Sequence, residues 1–104
     1  MSKQYILDGS HRPVPCDDLK TWGRWLQTAN DDRIVARTTV REGIDVSTVF
    51  LGLDHSFGNG PPLLFETMVF RSGNGDDMER YSTWDEALAG HQRMVQRVRD
   101  EVIP

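Results

Sequence analysis

The chain has 104 residues, of which 38% are hydrophobic and 27% charged, and its formal net charge at pH 7 is -4. This length fits one domain, since two cores would each be too small, and the composition is that of a globular protein rather than a disordered one. The acidic surplus argues against binding of bulk nucleic acid, which requires a basic surface. We therefore expect a single compact domain over residues 1–104.

A cytoplasmic location is expected from the apolar segments and the cysteine content. No stretch approaches the roughly 20 apolar residues of a membrane span, and the N-terminal MSKQYILDGS lacks the apolar run of a signal peptide. Cys16 is the single cysteine of the chain and cannot form an internal disulfide, which suits a reducing compartment. We expect no metal and no other cofactor, because Cys16 and the histidines lack the paired spacing of a zinc site.

The N-terminal third predicts a short strand followed by a helix. The apolar run Tyr5-Ile6-Leu7 ends at Asp8-Gly9, and the prolines of Pro13-Val14-Pro15 keep the next segment extended. Asp17 can cap a helix that runs from about residue 18 to residue 29. Its apolar face is predicted from side chains that recur every three or four positions, namely Leu19, Trp22, Leu26 and Ala29.

Three β-prone segments follow, and their short connections favour an antiparallel meander over residues 33–41, 45–53 and 63–71. Residues 79–82 can add a short edge strand. Thr83 and Glu86 form a capping box for a second helix, whose predicted apolar face is Trp84, Ala87, Leu88, His91, Val95, Val98 and Val102. The sequence thus predicts an α+β domain, with two amphipathic helices packed on one face of a four- to five-stranded antiparallel sheet.

The register of the first hairpin decides which side chains share a face of this sheet. A four-residue turn at 42–45 places Val40 opposite Ser47 and directs Val49 towards the helices. The opposite face then carries an apolar patch made of Phe50, Met68 and Phe70. Such patches usually mark interaction surfaces, so we expect these residues to form the interface of a homodimer or higher oligomer. The alternative is that a terminus or a long loop covers them in the monomer.

The connection from Asp54 to Pro62 is unusually long for a loop between paired strands. Binding residues concentrate on loops that a rigid sheet holds, so we expect this loop to meet a partner or ligand. Arg37, Glu66 and Tyr81 are expected as neighbours of the loop, and Arg37 and Glu66 could form an ion pair buried at the oligomer interface. In the alternative interpretation, the loop is structural and Phe57 fills the core. The candidate binding residues are Asp54, His55, Phe57, Asn59, Arg37, Glu66 and Tyr81.

Catalysis is the weaker alternative. A histidine oriented by a carboxylate can move protons near neutral pH, so His55 with Asp54 or Glu66 could serve a small hydrolase or transferase. No G-x-S-x-G, H-E-x-x-H or P-loop pattern is present. We therefore assign no catalytic residue and rank binding first. His91, on the apolar face of the second helix, is expected to be a core histidine that is hydrogen-bonded to the backbone.

Two blocks of the sequence are distinctive, namely VSTVFLGLDHSFGNGPPLLFETMVF at 46–70 and ERYSTWDEALAGH at 79–91. Together with the opening YILDG…PVP…DDL…W, they resemble a group of small proteins encoded in tailed-phage and prophage genomes. The resemblance supplies no catalytic assignment. It implies a small accessory protein of the bacterial host's cytoplasm that acts by binding. Its partner would be a host protein, for example a component of an antiviral defence, or a small signalling nucleotide held between subunits.

Overall fold

A computed structural model describes residues 3–71 and 74–102, and it leaves the side chains of 74–76 and 102 undescribed. Val102, which the sequence placed on the apolar face of the second helix, therefore has no described side chain. The strands and helices in chain order are β1 (Tyr5–Leu7), β2 (Pro13–Pro15), α1 (Leu19–Thr28), β3 (Ile34–Arg41), β4 (Ile44–Phe50), β5 (Phe65–Arg71), β6 (Asn74–Tyr81) and α2 (Trp84–Val102).

The main sheet is an antiparallel meander of four strands in the order β3-β4-β5-β6, which confirms the predicted arrangement. Its last strand, β6, is longer than the edge strand expected at residues 79–82, because it begins at Asn74. The two N-terminal strands form a separate antiparallel pair. The prolines of β2 are compatible with pairing because a two-stranded hairpin consists of edge strands.

The register of the β3–β4 hairpin differs from the prediction. The turn has two residues, Glu42 and Gly43, and Ser47 pairs with Arg37 rather than with Val40. Gly43 has a φ of 84°, a left-handed conformation that glycine adopts without steric cost. Because side chains alternate along a strand, this shift places Phe50 on the buried face and Val49 on the other. The predicted placement of Phe50 on an exposed interaction face is therefore wrong.

The two faces of the sheet have different surroundings. One face packs against α2, and we call it the core face; its buried side chains are Val46, Thr48, Phe50, Phe65, Thr67, Val69 and Tyr81. The opposite face is called the open face here, and it carries Arg37, Thr39, Asp45, Ser47, Val49, Glu66, Met68, Phe70, Met78 and Arg80. Among the described helices and strands, none packs on the open face.

Helix α2 begins with the predicted capping box, which is confirmed. The amide of Thr83 donates to Glu86 Oε1 and the amide of Glu86 donates to Thr83 Oγ1, each at 3.1 Å. The buried stripe of the helix consists of Ala87, Gly90, His91, Met94, Val95 and Val98. Leu88 was expected in that stripe, but it is 36% exposed and Met94 takes a core position instead.

Helix α1 is capped by Asp18 rather than by the expected Asp17, since Asp18 accepts hydrogen bonds from the Lys20 amide and the Thr21 hydroxyl. The helix packs against β1. Its Trp25 ring also meets Phe50 of the core face edge-on, with the ring centroids 5.8 Å apart. That both helices share one face of the sheet stays a prediction for α1.

Candidate functional site

The loop from Asp54 to Pro62 leaves the sheet between β4 and β5 and is closed at its neck by hydrogen bonds. The His55 amide donates to the Leu63 carbonyl at 3.0 Å, and the Asp54 amide donates to the Lys3 carbonyl at 2.9 Å. Asp54 Oδ1 accepts from the Ser56 amide at 2.8 Å and from the Leu63 amide at 3.0 Å. Both ends of the loop are thus fixed to the sheet and to the N-terminal segment.

The carboxylate of Asp54 forms part of this neck. Burial opposes ionisation, but hydrogen bonds from Ser56 and from the Leu63 amide outweigh it and lower the pKa of the carboxyl. A carboxylate that accepts several amide protons is a structural cap rather than a proton donor at neutral pH. Asp54 thus caps the turn of its own loop.

Phe57 lies beyond the neck and is 97% exposed. The alternative interpretation, in which Phe57 fills the core, is therefore wrong. Next to it the chain turns at Gly58, whose φ of 84° is a left-handed conformation. The loop thus presents an aromatic ring to solvent on a backbone whose ends are held in place.

A depression of about 240 Å³ lies along the inner side of the loop. Its lining is Tyr5, Asp54, Ser56, Gly58, Asn59, Gly60 and Pro62. Among these described lining residues none is basic, so an anionic ligand would meet the carboxylate of Asp54 with no cation to balance its charge. His55 is not part of the lining. A catalytic pair would require a hydrogen bond between the imidazole of His55 and a carboxylate, and among the described residues no such bond is formed.

The structure does not bring the other candidate residues to the loop. Arg37 lies on the open face opposite Ser47, about 10 Å along the strand from the end of β4 at 3.3 Å per residue. Glu66 is also on the open face, but its ion pair is with Arg80, with Arg80 Nε 3.0 Å from Glu66 Oε2. The expected pair with Arg37 is wrong. Tyr81 is only 7% exposed and lies on the core face.

A buried polar network that the sequence did not predict runs across the core face beneath α2. His91 Nδ1 lies 2.7 Å from the Thr48 hydroxyl, and His91 Nε2 lies 2.8 Å from the Thr38 hydroxyl. Thr48 also shares a hydrogen bond with the Thr67 hydroxyl. Buried threonines at alternating strand positions were the available signal, but Thr is also common in solvent-facing strand positions. His91 is buried as expected, but its ring nitrogens bond to threonine hydroxyls rather than to the backbone, so that part of the prediction is wrong.

The hydroxyl groups around His91 suit a neutral imidazole. A neutral ring has one donor nitrogen and one acceptor nitrogen, and a threonine hydroxyl can serve as the partner of either one. Elsewhere on the core face, the Tyr81 hydroxyl donates to Glu79 Oε1 at 3.1 Å. Burial lowers the pKa of His91, in agreement with the neutral form, and burial raises the pKa of Tyr81.

The β1–β2 hairpin forms a second solvent-facing aromatic feature. Its turn holds His11 at a φ of 64°, and the imidazole stacks on the indole of Trp84 with ring centroids 3.8 Å apart and an interplanar angle of 8°. Depressions of about 180 Å³ and 210 Å³ flank this stack. They are shallow and mixed in character, so we treat the stack as the contact that fastens the hairpin to α2.

Comparison of the chain with protein-family models, curated proteins and solved structures finds no match. In residues 3–71 and 74–102, no group of three His, Cys, Asp or Glu side chains is placed to hold a metal ion. None of the helices in the described part of the chain is long and apolar enough to cross a membrane. The functional argument therefore rests on the loop and the open face.

Proposed function

We propose that this chain is a phage-type accessory protein that acts by binding a host protein in the bacterial cytoplasm, with the Asp54–Pro62 loop as its contact surface. The observation that carries the proposal is the exposure of Phe57 on an anchored loop. A phenylalanine left in water forgoes about 2 kcal/mol of hydrophobic stabilisation. A partner that covers the ring recovers that free energy.

The anchored neck strengthens the case for binding. A loop that is already ordered loses little conformational entropy when a partner covers it, which raises affinity without new contacts. Exposed aromatic side chains on such loops are typical centres of protein interfaces. The bacterial defence component implied by the phage resemblance is one partner of this kind.

A small signalling nucleotide is the second candidate ligand, favoured by the depression beside the amides of Gly58 and Gly60. The charges there support it less well, since Asp54 lines the depression and Arg37 lies elsewhere on the sheet. Mass spectrometry under native conditions, on protein purified from its host, would detect such a nucleotide as a fixed added mass. Catalysis by His55 has the least support, because no carboxylate among the described residues orients its imidazole.

Site-specific photocrosslinking tests the proposal. The photoreactive residue p-benzoylphenylalanine replaces Phe57, a conservative change because the ring is already in solvent. A second protein carries it at Leu88, which is also exposed but lies on α2. Both are expressed in the bacterial host and irradiated in living cells. We expect a discrete crosslinked host protein from position 57 that position 88 does not give.

The Phe57→Ala variant provides the second measurement. We expect it to lose co-purification of the crosslinked host protein while its melting temperature stays within a few degrees, because the side chain contributes nothing to the core. Identical crosslinks from positions 57 and 88, or full retention of the partner by Phe57→Ala, would show that the loop is not the contact surface.

A further inference from the structure

The open face is a second candidate surface, distinct from the loop. Its centre is apolar, with Val49, Met68 and Phe70 half-buried and Met78 48% exposed. No described helix or strand covers it, whereas α2 packs on the core face of the same sheet. Because Phe50 lies on the core face, the apolar area of the open face is smaller than the sequence predicted. The charged side chains around that area therefore indicate which kind of partner can bind it.

The described charged side chains of the open face include one ion pair and two groups that lack an ionic partner among the described residues. Glu66 and Arg80 form an ion pair within the face. Asp45 has the Thr39 hydroxyl as its partner at 2.6 Å, which satisfies a hydrogen bond but leaves the negative charge uncompensated. Arg37 is exposed, and no carboxylate among the described residues pairs with it. Among the side chains of this face that the structure describes, Arg37 is therefore a free cation and Asp45 a free anion.

We propose that the open face binds the open face of a second copy of this chain. A twofold interface is self-complementary, so each group must meet its opposite on the other copy. One free cation and one free anion meet that requirement, whereas a purely acidic or purely basic partner would leave one of them unmatched. A twofold axis across the strands, between the rows containing Met68 and Phe70, brings Arg37 near Asp45 of the other copy and packs Met68 on Phe70.

The area of the face sets the strength of this dimer. Four strands about 4.8 Å apart, each about seven residues long, present roughly 450 Å² per copy. Two copies therefore bury roughly 900 Å², which lies in the range of weak and transient interfaces. The dimer should dissociate at micromolar concentrations, so its oligomeric state should change over an accessible range.

Sedimentation equilibrium of charge-reversed variants tests this proposal. We expect the wild-type chain to dimerise as its concentration rises to roughly 100 µM, where a micromolar Kd gives mostly dimer. Arg37→Asp and Asp45→Arg should each raise Kd at least tenfold, because each homodimer then holds two repulsive pairs. An equimolar mixture of the two variants should associate again, since both pairs across that heterodimer are attractive.

Association of the mixed variants would show that Arg37 and Asp45 act between copies, because a change within one chain could not be reversed by adding the other variant. Phe70→Ser should also abolish the dimer, and Phe57→Ala should leave it unchanged, which keeps this result independent of the loop. Unfolding curves of all variants confirm that they fold. A wild-type chain that stays monomeric, a dimer indifferent to Arg37→Asp and Phe70→Ser, or variants that fail to associate on mixing would each overturn the proposal.

Discussion

His91 is an ionisable side chain in a place where a charge is costly. It is buried, and both ring nitrogens face hydroxyl groups, those of Thr38 and Thr48. Protonation would make both ring nitrogens donors, so that both threonine hydroxyls would have to accept from the ring. Among the described residues, no carboxylate hydrogen-bonds to the ring, so none neutralises the new charge directly. The neutral ring is therefore part of the stable fold.

The stability of the protein should consequently fall in mildly acidic solution. The pKa of His91 is lower in the folded state than its ordinary value of 6.5, so the unfolded chain binds more protons between the two values. The stabilisation is complete above about pH 6.5, the pKa of an unperturbed histidine, and is lost as the pH falls through the folded-state pKa. Urea unfolding at pH 8, 7, 6 and 5 measures the effect.

His91→Gln is the matched control for this titration. Glutamine retains a donor and an acceptor but carries no charge, whereas His11 and His55 remain in both proteins and cancel from the comparison. We expect the urea midpoint of the wild type to fall more steeply between pH 7 and pH 5 than that of His91→Gln. If the urea midpoints of the two proteins fell equally with pH, protonation of His91 would have no effect on the free energy of unfolding.

At the scale of elements, the sequence predicted the strands of the meander and both helices in the correct order along the chain, because strands and helices depend on local sequence patterns. The error came from one turn. The sequence from Arg41 to Asp45 is compatible with both a two-residue turn and a four-residue turn. The two turns give different registers, and these registers place the side chains of β4 on opposite faces of the sheet. Phe50 was therefore misplaced, while Met68 and Phe70, which lie on a strand after the long loop, were assigned to the correct face.

The same limit applies to helix α2. Leu88 and Met94 lie close to the border of the apolar stripe, where helical periodicity alone does not decide which side chain faces the sheet. Gly90 also lies in this stripe, at a point where α2 approaches β6 closely. In the structure, the neighbour is the ring of Tyr81, and a methyl group added at Gly90 would overlap it.

Gly90→Ala should therefore destabilise the protein by about 1 to 3 kcal/mol, the usual cost of overpacking, despite the better helix propensity of alanine. The Tyr81 ring cannot move aside cheaply, because it is buried and its hydroxyl is bonded to Glu79. Gly23→Ala in α1 is the matched control, since nothing lies within 4 Å of the added methyl group. It should stabilise the protein by up to about 1 kcal/mol. Chemical denaturation checks both values.

A second substitution separates the ring contact from other effects of Gly90→Ala. In a Tyr81→Leu background the ring is absent, so the same change at Gly90 should cost clearly less than it does in the wild type. An equal cost in both backgrounds, or a stabilising effect of Gly90→Ala alone, would contradict the role assigned to this contact.

At the scale of the whole molecule, the sequence located the loop but not the arrangement of the residues around it. Loop length and glycine content are local signals, and they correctly singled out residues 54–62. Which distant side chains lie beside the loop depends on strand register and on the face of each strand. Arg37, Glu66 and Tyr81 were therefore grouped with it, although they lie on three different strands and on both faces of the sheet.

The N-terminal strands and α1 should unfold together with the main sheet, although α1 packs against β1 rather than against the four-stranded sheet. The Gly52 carbonyl, just after β4, accepts hydrogen bonds from the Tyr5 amide at 2.8 Å and from Trp22 Nε1 at 3.2 Å. Trp25 adds its contact with Phe50. These links join β1 and α1 to the end of β4 and to the core, so the free energy of unfolding should be common to both parts.

The Trp84→Phe variant tests this cooperativity because its two remaining tryptophans, Trp22 and Trp25, both lie in α1. Its fluorescence then reports α1, whereas far-ultraviolet circular dichroism is dominated by α2. Both signals should shift to lower urea than in the wild type, since Trp84 packs against the core and stacks on His11. Their midpoints should nevertheless coincide, which is the test for a two-state transition. A fluorescence transition that precedes the loss of circular dichroism would show that α1 detaches while the sheet and α2 remain folded, and the links through Gly52 would then be too weak to couple them.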